Sequence, residues 1–343
     1  MIERRGATPR ARPVARVCRS WHICAMRRAA ISLILVAAAF PAQASAQAPV
    51  PQPVQTTMSL SLERAGGKHR TVLVGDRIRV RGAVGAYAPG EGITVRFFRR
   101  GRKVRTTQVQ LQPTPQGGAF FLVGYSPPRA GRLVVRAEHA ATPALGAFSA
   151  KSAAVDVLPR RVGSGSGSGA VRALQSRLAK LGYVVGRRGS FDARTRRAVL
   201  AFRKVTGMAR TSRASKKVMR RLARGGGRFP IRFPGHGRHM EADISRQVLV
   251  LIEGRKVRRI YPTSTGKPST PTVLGSFRVY SKTPGTNSKG MVHSAYFIRG
   301  YATHGYPSVP IYPASHGCLR VPIPDALSLF RWIRIGTPVD TYR

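Results

Sequence analysis

Between Gly163 and Gly169 the chain reads GSGSGSG, and this stretch constrains the fold more than any other. It has no side chains to bury, so it behaves as a flexible coil, and a domain boundary lies there. The apolar residues on its two sides follow different periods. Ahead of it, from Thr56 to about Leu158, the pattern alternates with period two. "TVLVGDRIRVRGAV", "GITVRFFRRGRKV", "GAFFLVGYSP" and "GRLVVRAEHA" are short runs rich in Val, Ile, Phe and Arg, separated by Gly and Pro. Behind it the spacing is helical. Val171, Leu174, Leu178 and Leu181 fall three or four apart, and Gly182 ends the run. Asp192 is placed to cap a second helix, with Ala198, Val199, Phe202 and Val205 on one face, and Val218 and Leu222 mark a third.

A second Gly- and Pro-rich seam, residues 225–237, precedes a segment that alternates again, with Glu253-Gly254 as a tight turn. At 343 residues, two or three domains are expected. The predicted architecture is multidomain and mainly β. An antiparallel β-sandwich of about seven strands spans 56–158, and a Gly/Ser linker spans 159–169. A small three-helix domain spans 170–224, a linker 225–237, and a further mainly β domain 238–343. The first of these resembles bacterial immunoglobulin-like wall domains in its general pattern, which implies a spacer or binding module.

Residues 1–48 read as a signal segment. From Met26, "MRRAAISLILVAAAFPAQASAQA" has a positive region at Arg27 and Arg28, an apolar stretch from Ala29 to Phe40, and three overlapping small-x-small cleavage sites between Ala42 and Ala48. Export to the wall or periplasm is expected, with Met26 as the true start. The apolar run is too short for a stable membrane helix, and no later stretch reaches the roughly 18 apolar residues such a helix needs. Removing this segment takes Cys18 and Cys24, leaving Cys318 as the one thiol and no intramolecular disulfide.

The formal charge is +48, and the eight arginines and Glu3 of residues 1–48 leave +41 in the remainder. Such a charge attracts polyanions. For an exported protein these are anionic wall polymers, phospholipid surfaces or peptidoglycan carboxylates. Nucleic acid is not the expected partner, since no aromatic stacking stripe runs among the basic residues. The blander alternative is a solvated arginine-rich surface.

Cys318 stands in "ATHGYPSVPIYPASHGCLRVP", with His316 two residues before it and His304 fourteen before. A thiolate must be generated near neutral pH by a neighbouring base or backbone donors to act as a nucleophile. In an extended segment His316 and Cys318 project to one face. His304 reaches the sulfur across a hairpin or loop, since Pro307, Pro310 and Pro313 exclude a continuous helix between them. Spacing alone does not choose between the two histidines. Gly317 permits an unusual backbone angle, and the N–H groups of Gly317 and Cys318 are candidates to face one developing oxyanion. His304, His316, His293 and Cys318 are zinc-type residues without the paired spacing of structural zinc, so neither metal nor other cofactor is expected. His293, His236 and His239 read as surface or structural histidines.

Two resemblances are specific. "VRALQSRLAKLGYVVGRRGSFDARTRRAVLAFRKVTGM" resembles the peptidoglycan-binding domain found beside wall enzymes, through Leu174, Gln175, Leu181, Gly182, Tyr183, Phe191, Asp192, Thr195, Ala198, Val199 and Phe202. It departs from that family in "RTSRASKKVM" and at Arg203. Residues 238–343 resemble the L,D-transpeptidase catalytic domain, the YkuD-type β-sandwich, through His304-Gly305 and Ser315-His316-Gly317-Cys318-Leu319-Arg320. Upstream, "STGKPSTPTVLGSFRVYSK" is similar to that family's Ser-Thr-Gly, Thr-Pro and Gly-x-Phe elements, with a turn one or two residues longer.

The resemblance implies a two-step acyl transfer on peptidoglycan stem peptides, forming 3→3 cross-links with release of D-alanine. It implies Cys318 as nucleophile and His304 as base and acid, oriented by a carbonyl near Gly305. His316 would shape the site, Gly317 and Cys318 would supply oxyanion N–H groups, and Ser315 would support the loop. Arg320 would bind a substrate carboxylate, Tyr301 and Gly305 would line the substrate site, and carbapenems would acylate the sulfur. An L,D-carboxypeptidase using the same thiol and a non-catalytic wall-binding protein remain the alternatives.

Overall fold

The structure, a computed structural model, describes residues 51–65 and 70–343. The expected signal segment and the start at Met26 lie outside the described residues. The first part holds ten strands among the described residues: β1 (Met58–Glu63), β2 (Thr71–Leu73), β3 (Ile78–Val84), β4 (Gly92–Arg99), β5 (Arg102–Gln110), β6 (Gln112–Pro113), β7 (Ala119–Tyr125), β8 (Gly131–His139), β9 (Phe148–Lys151) and β10 (Val155–Leu158). They form two sheets, ordered β1-β3-β7-β6 and β2-β10-β8-β4-β5, with β9 also pairing β8. Alternation does the work in β3, where Ile78, Val80 and Val84 are buried while Arg79 and Arg81 face solvent. The inner faces share one core built on Ile78, Ile93, Phe97, Phe121, Leu133 and Val135. The sequence pattern predicts about seven antiparallel strands. The structure has more, and β10 pairs β2 in parallel. The three residues of β2 are all buried, so they carry no alternation to read.

Three helices follow: α1 (Ser168–Lys180), α2 (Ala193–Val205) and α3 (Lys216–Ala223). The first begins inside the Gly/Ser run, two residues before the expected boundary. That run is tethered: Val162 bridges Ala214, and the Gly163 N–H donates to Ser166 Oγ at 3.0 Å. Asp192 caps α2 as its position predicts, accepting the Thr195 N–H at 2.8 Å. Gly182, at φ +92°, ends the α1 turn.

The last part comprises β11 (Arg238–Asp243), β12 (Val248–Glu253), β13 (Lys256–Pro262), β14 (Gly275–Arg278), β15 (Ser281–Thr286), β16 (Val292–Ile298), β17 (Tyr301–Tyr306), β18 (Leu319–Pro322), α4 (Ile323–Trp332) and β19 (Pro338–Tyr342). Its two sheets are ordered β13-β12-β11-β19-β14 and β15-β16-β17-β18. Helix α4 is an element the mainly β expectation for this part did not single out. It starts with Pro324 near its N-terminus and buries Ala326 and Leu329 in the core between the sheets.

Strand β12 is apolar from Val248 to Ile252 because it serves two cores. Leu249 and Leu251 face the core between the sheets, while Val248, Val250 and Ile252 face Leu174, Leu178, Val199 and Phe202 of the helices. Backbone bonds reinforce this join, with the Ile260 N–H donating to Gly182 O at 2.8 Å. The 225–237 seam is strapped down in the same place. Phe229 enters the helical core, Tyr183 Oη donates to Gly227 O at 2.7 Å, and the Arg232 and Phe233 N–H groups donate to Glu241. Among the described residues no helix is long and apolar enough to cross a membrane.

Lys204 of α2 lies buried in this join, its Nζ donating to Gln247 O and Thr263 O, each at 3.0 Å. Burial, helped by the charge of Arg210, lowers its pKa to about 7. The unfolded chain keeps this proton up to pH ~10.5, so between the two values it binds more protons than the folded chain, and stability rises with pH through that window. Melting curves at pH 6.5 and 9.5 should therefore show wild type gaining stability on the alkaline side, by at most about 3 kcal/mol. Lys204→Met should lose that difference. An unchanged pH response in the variant would mean that Lys204 does not supply it.

Candidate active site

Strands β17 and β18 run parallel, with Thr303 opposite Leu319 and His304 opposite Arg320. The loop joining them ends in a tight, fully bonded turn. Ser315 Oγ donates to Cys318 O at 2.6 Å and accepts the Gly317 N–H at 3.1 Å. Gly317 adopts φ +114°, and a Cβ there would stand 2.0 Å from the Tyr301 ring, so only glycine fits. Residues 263–272 form the second support. Thr265 O accepts the N–H groups of Ala314 and Ser315 at 2.8 and 2.9 Å, Thr272 Oγ1 donates to Gly317 O at 2.8 Å, and Thr263 Oγ1 donates to Arg320 O at 2.7 Å. The Ser-Thr-Gly element is thus a brace for the Ser-His-Gly-Cys turn.

This turn presents the half-buried Cys318 to a cavity of about 490 Å³ whose walls include His304, Tyr301, Tyr306, His316 and Arg320. Cys318 Sγ accepts the Ala302 N–H at 3.4 Å. Burial pushes the thiol pKa up, opposed by the Ala302 N–H and by the charges of Arg320 and Lys289. His304 is buried, and its Nδ1 meets Gly305 O at 2.9 Å. A carbonyl only accepts, so Nδ1 carries the proton and Nε2 holds the free lone pair. Burial lowers the imidazole pKa, with Arg320 adding to it and the Gly305 bond opposing. At rest a neutral thiol and a neutral imidazole line the same cavity.

The geometry separates the two histidines that spacing left equal. His304 is anchored through Nδ1, whereas His316 is exposed at the cavity wall and carries no hydrogen bond among the described residues. The two glycines expected at the site are engaged as follows. The Gly317 N–H is engaged by Ser315 Oγ, so Gly317 and Cys318 do not present two free donors as a pair. Gly305 does not line the substrate cavity: it is buried against α4, where a Cβ would meet Ala326 Cβ at 2.6 Å, and its carbonyl holds His304 instead.

Arg320 stacks its guanidinium 4.1 Å above the Tyr306 ring and reaches Ala314 O at 3.4 Å through Nη1. Its Nε is buried without a partner among the described residues.

Sequence reasoning missed one wall of the cavity, the turn carrying Asn287, Ser288, Lys289 and Met291 between β15 and β16. Its local signal was present in Asn-Ser-Lys-Gly. Asn287 Oδ1 accepts the Lys289 and Met291 N–H groups at 3.0 Å, and the Gly290 N–H closes onto Asn287 O at 2.9 Å. What that turn faces was not legible. The other histidines stand elsewhere: His236 Nδ1 on Asp340 at 3.0 Å, His239 Nε2 on Glu241 at 3.3 Å, and His293 Nδ1 accepting the Gly285 N–H at 3.1 Å. Among the described residues no three His, Cys, Asp or Glu side chains are grouped to hold a metal.

The family described as "L,D-transpeptidase catalytic domain" matches residues 237–340, and the family described as "Putative peptidoglycan binding domain" matches residues 167–222. Similar solved structures include an L,D-transpeptidase from Xylanimonas cellulosilytica, 33% identical, covering 50% of this chain and 92% of that one with a TM-score of 0.46. One from Stackebrandtia nassauensis is 19% identical, covering 53% and 93% with a TM-score of 0.34. L,D-transpeptidase 1 of Mycobacterium tuberculosis is 26% identical, covering 31% and 62% with a TM-score of 0.26. No curated protein matches the chain. The chain belongs to the L,D-transpeptidase family and carries a peptidoglycan-binding domain ahead of its catalytic domain.

Proposed function

We propose that this protein is an exported L,D-transpeptidase that forms 3→3 cross-links in peptidoglycan through a thioester on Cys318. One observation carries the reading: the Cys318 thiol and the Nε2 face of an anchored, neutral His304 open on the same cavity. His304 takes the thiol proton as Cys318 Sγ attacks the carbonyl of the third stem residue, a diamino acid. The tetrahedral oxyanion is held by the Cys318 N–H, the donor left at the turn after Ser315 has engaged that of Gly317. His304 then protonates the departing amine, D-alanine leaves and the thioester remains. An amine of a neighbouring stem attacks that thioester, His304 removes its proton, and the thiol is restored as the new amide forms. Splitting the exchange this way conserves the acyl bond energy and consumes no nucleotide.

The other site residues have supporting roles. Arg320 holds a stem carboxylate with the donor face it keeps beside the cavity, and Tyr306 fixes its plane. Tyr301 and His316 shape the entrance, Ser315 keeps the turn closed, and Gly305 orients His304 through its carbonyl. The helices engage peptidoglycan, and residues 56–158 act as an immunoglobulin-like spacer.

Incubation of a tetrapeptide muropeptide with the protein, followed by mass spectrometry, should give a dimer that has lost one D-alanine. Monomeric tripeptide alone would identify an L,D-carboxypeptidase. Unchanged substrate together with sedimentation on cell walls would identify a non-catalytic wall-binding protein.

A further inference from the structure

The helical segment 170–224 contains seventeen Lys and Arg side chains and a single acid, Asp192. That acid is already committed, its carboxylate accepting the N–H groups of Thr195 and Arg187 at 2.8 and 2.7 Å. Acids from neighbouring segments neutralise one side of the helices. Asp156 pairs with Arg177 at 2.6 Å, Asp325 with Arg194 and Arg197 at 2.8 and 3.4 Å, and Asp76 with Arg220 at 3.8 Å. None reaches the remaining face of α3. Arg213, Lys216, Lys217, Arg221 and Arg224 form no ion pair among the described residues, and neither does the adjacent Arg161.

Lys216 is half-buried, while Arg161, Arg213, Lys217, Arg221 and Arg224 are exposed and reach solvent from the same face. They line two cavities of about 870 and 710 Å³ that adjoin through Lys216 and Lys217, and no carboxylate lines either. From Lys216 to Arg224 the cations extend along about 12 Å of helix axis. This is longer than a single ion requires and suits a chain of repeated charges. Two adjoining cavities lined by exposed cations fit a strand laid along them better than the flat face of a bilayer. Arginine forks match phosphate oxygens in pairs, and a phosphodiester keeps its charge at any ordinary pH.

We propose that these two joined cavities bind a linear phosphodiester polymer, separately from the thiol site, so that the helical domain tethers the enzyme to an anionic chain. The site lies outside the cavity that holds Cys318, so its success or failure leaves the transpeptidase reading standing.

The test is fluorescence anisotropy of labelled poly(glycerol phosphate) with the full chain at several salt concentrations. Lys216→Gln, Lys217→Gln, Arg221→Gln and Arg224→Gln combined should weaken binding ~30-fold or more at low salt. The slope of log affinity against log salt should become shallower by about 3, for four contacts to a single strand. A control removing the same charge from the exposed Arg102, Lys103, Arg129 and Arg255 should weaken binding less than ~3-fold. Turnover of a soluble muropeptide should match wild type in both variants, which also shows that each is folded. Equal losses in the two variants would reduce the effect to net charge and overturn the proposal, as would unchanged binding in the first. Polygalacturonate binding as tightly as the phosphate polymer would overturn the phosphate assignment. Tighter binding of single-stranded DNA through the same four residues would make the ligand a nucleic acid and equally overturn it.

Discussion

Replacing Cys318 with alanine should lower cross-linking of tetrapeptide muropeptides at least ~10⁴-fold while leaving the protein folded. The size of the effect follows from the covalent step. With no sulfur there is no thioester to divide the exchange; of the other Ser and Lys side chains lining the cavity, Ser315 is committed to the turn, and Ser288 and Lys289 sit on the 287–291 turn. The structural cost is small, because the thiol is half-buried and makes only weak contacts, accepting the Ala302 N–H at 3.4 Å and donating to Gly300 O at 3.9 Å. Losing that acceptor costs about 1 kcal/mol, a shift of a few degrees in melting temperature. Intact-mass measurement gives the second readout. Wild type should gain one acyl adduct with a carbapenem and the variant none. Cross-linking that survives in the alanine variant would remove Cys318 from the mechanism.

His304→Gln should reduce kcat/KM by ~10²–10⁴-fold and should also reshape its pH dependence. The imidazole pKa is held below 6.5 by burial, so the base stays neutral into mildly acidic solution and the acid limb lies below 6.5. The thiol pKa is pushed above 9.0, so the alkaline limb lies above that value. Between these limits the free enzyme should show a broad plateau and no thiolate absorbance. The acid limb should vanish in the glutamine variant, since its side chain does not titrate. Stability is linked to the same group. As pH falls below 6.5 the unfolded chain takes up the proton first, so the fold loses stability down through the lower folded value. If His316→Gln removed the acid limb while His304→Gln kept it, the roles of the two histidines would be exchanged.

Much of the fold was legible because its signals are local. The four-residue spacing of Leu174 and Leu178, the cap at Asp192, the stop at Gly182 and the alternation of Ile78 and Val80 each depend on neighbours within a turn or two. The same holds for Ser-His-Gly-Cys, whose internal bonds from Ser315 run only two and three residues. Helix α4 was not singled out because a ten-residue stretch among strands is too short for its period to decide between helix and strand. The parallel pairing of β2 with β10 was missed because its partners are some eighty residues apart.

The remaining features are those in which distant residues meet. Spacing named Cys318 as the candidate nucleophile, His304 and His316 as candidate bases, and Gly317 as a backbone special. Packing then separated the histidines, since the Gly305 carbonyl and burial act on one and not the other. Packing also assigned the Gly317 N–H to Ser315, turned the 287–291 segment into a cavity wall, and merged the helices with β12 into one core. A local pattern records what a residue prefers within its own turn or strand. Which surfaces meet across the fold, and hence which groups lose water and shift their proton affinity, depends on contacts between residues far apart in the chain.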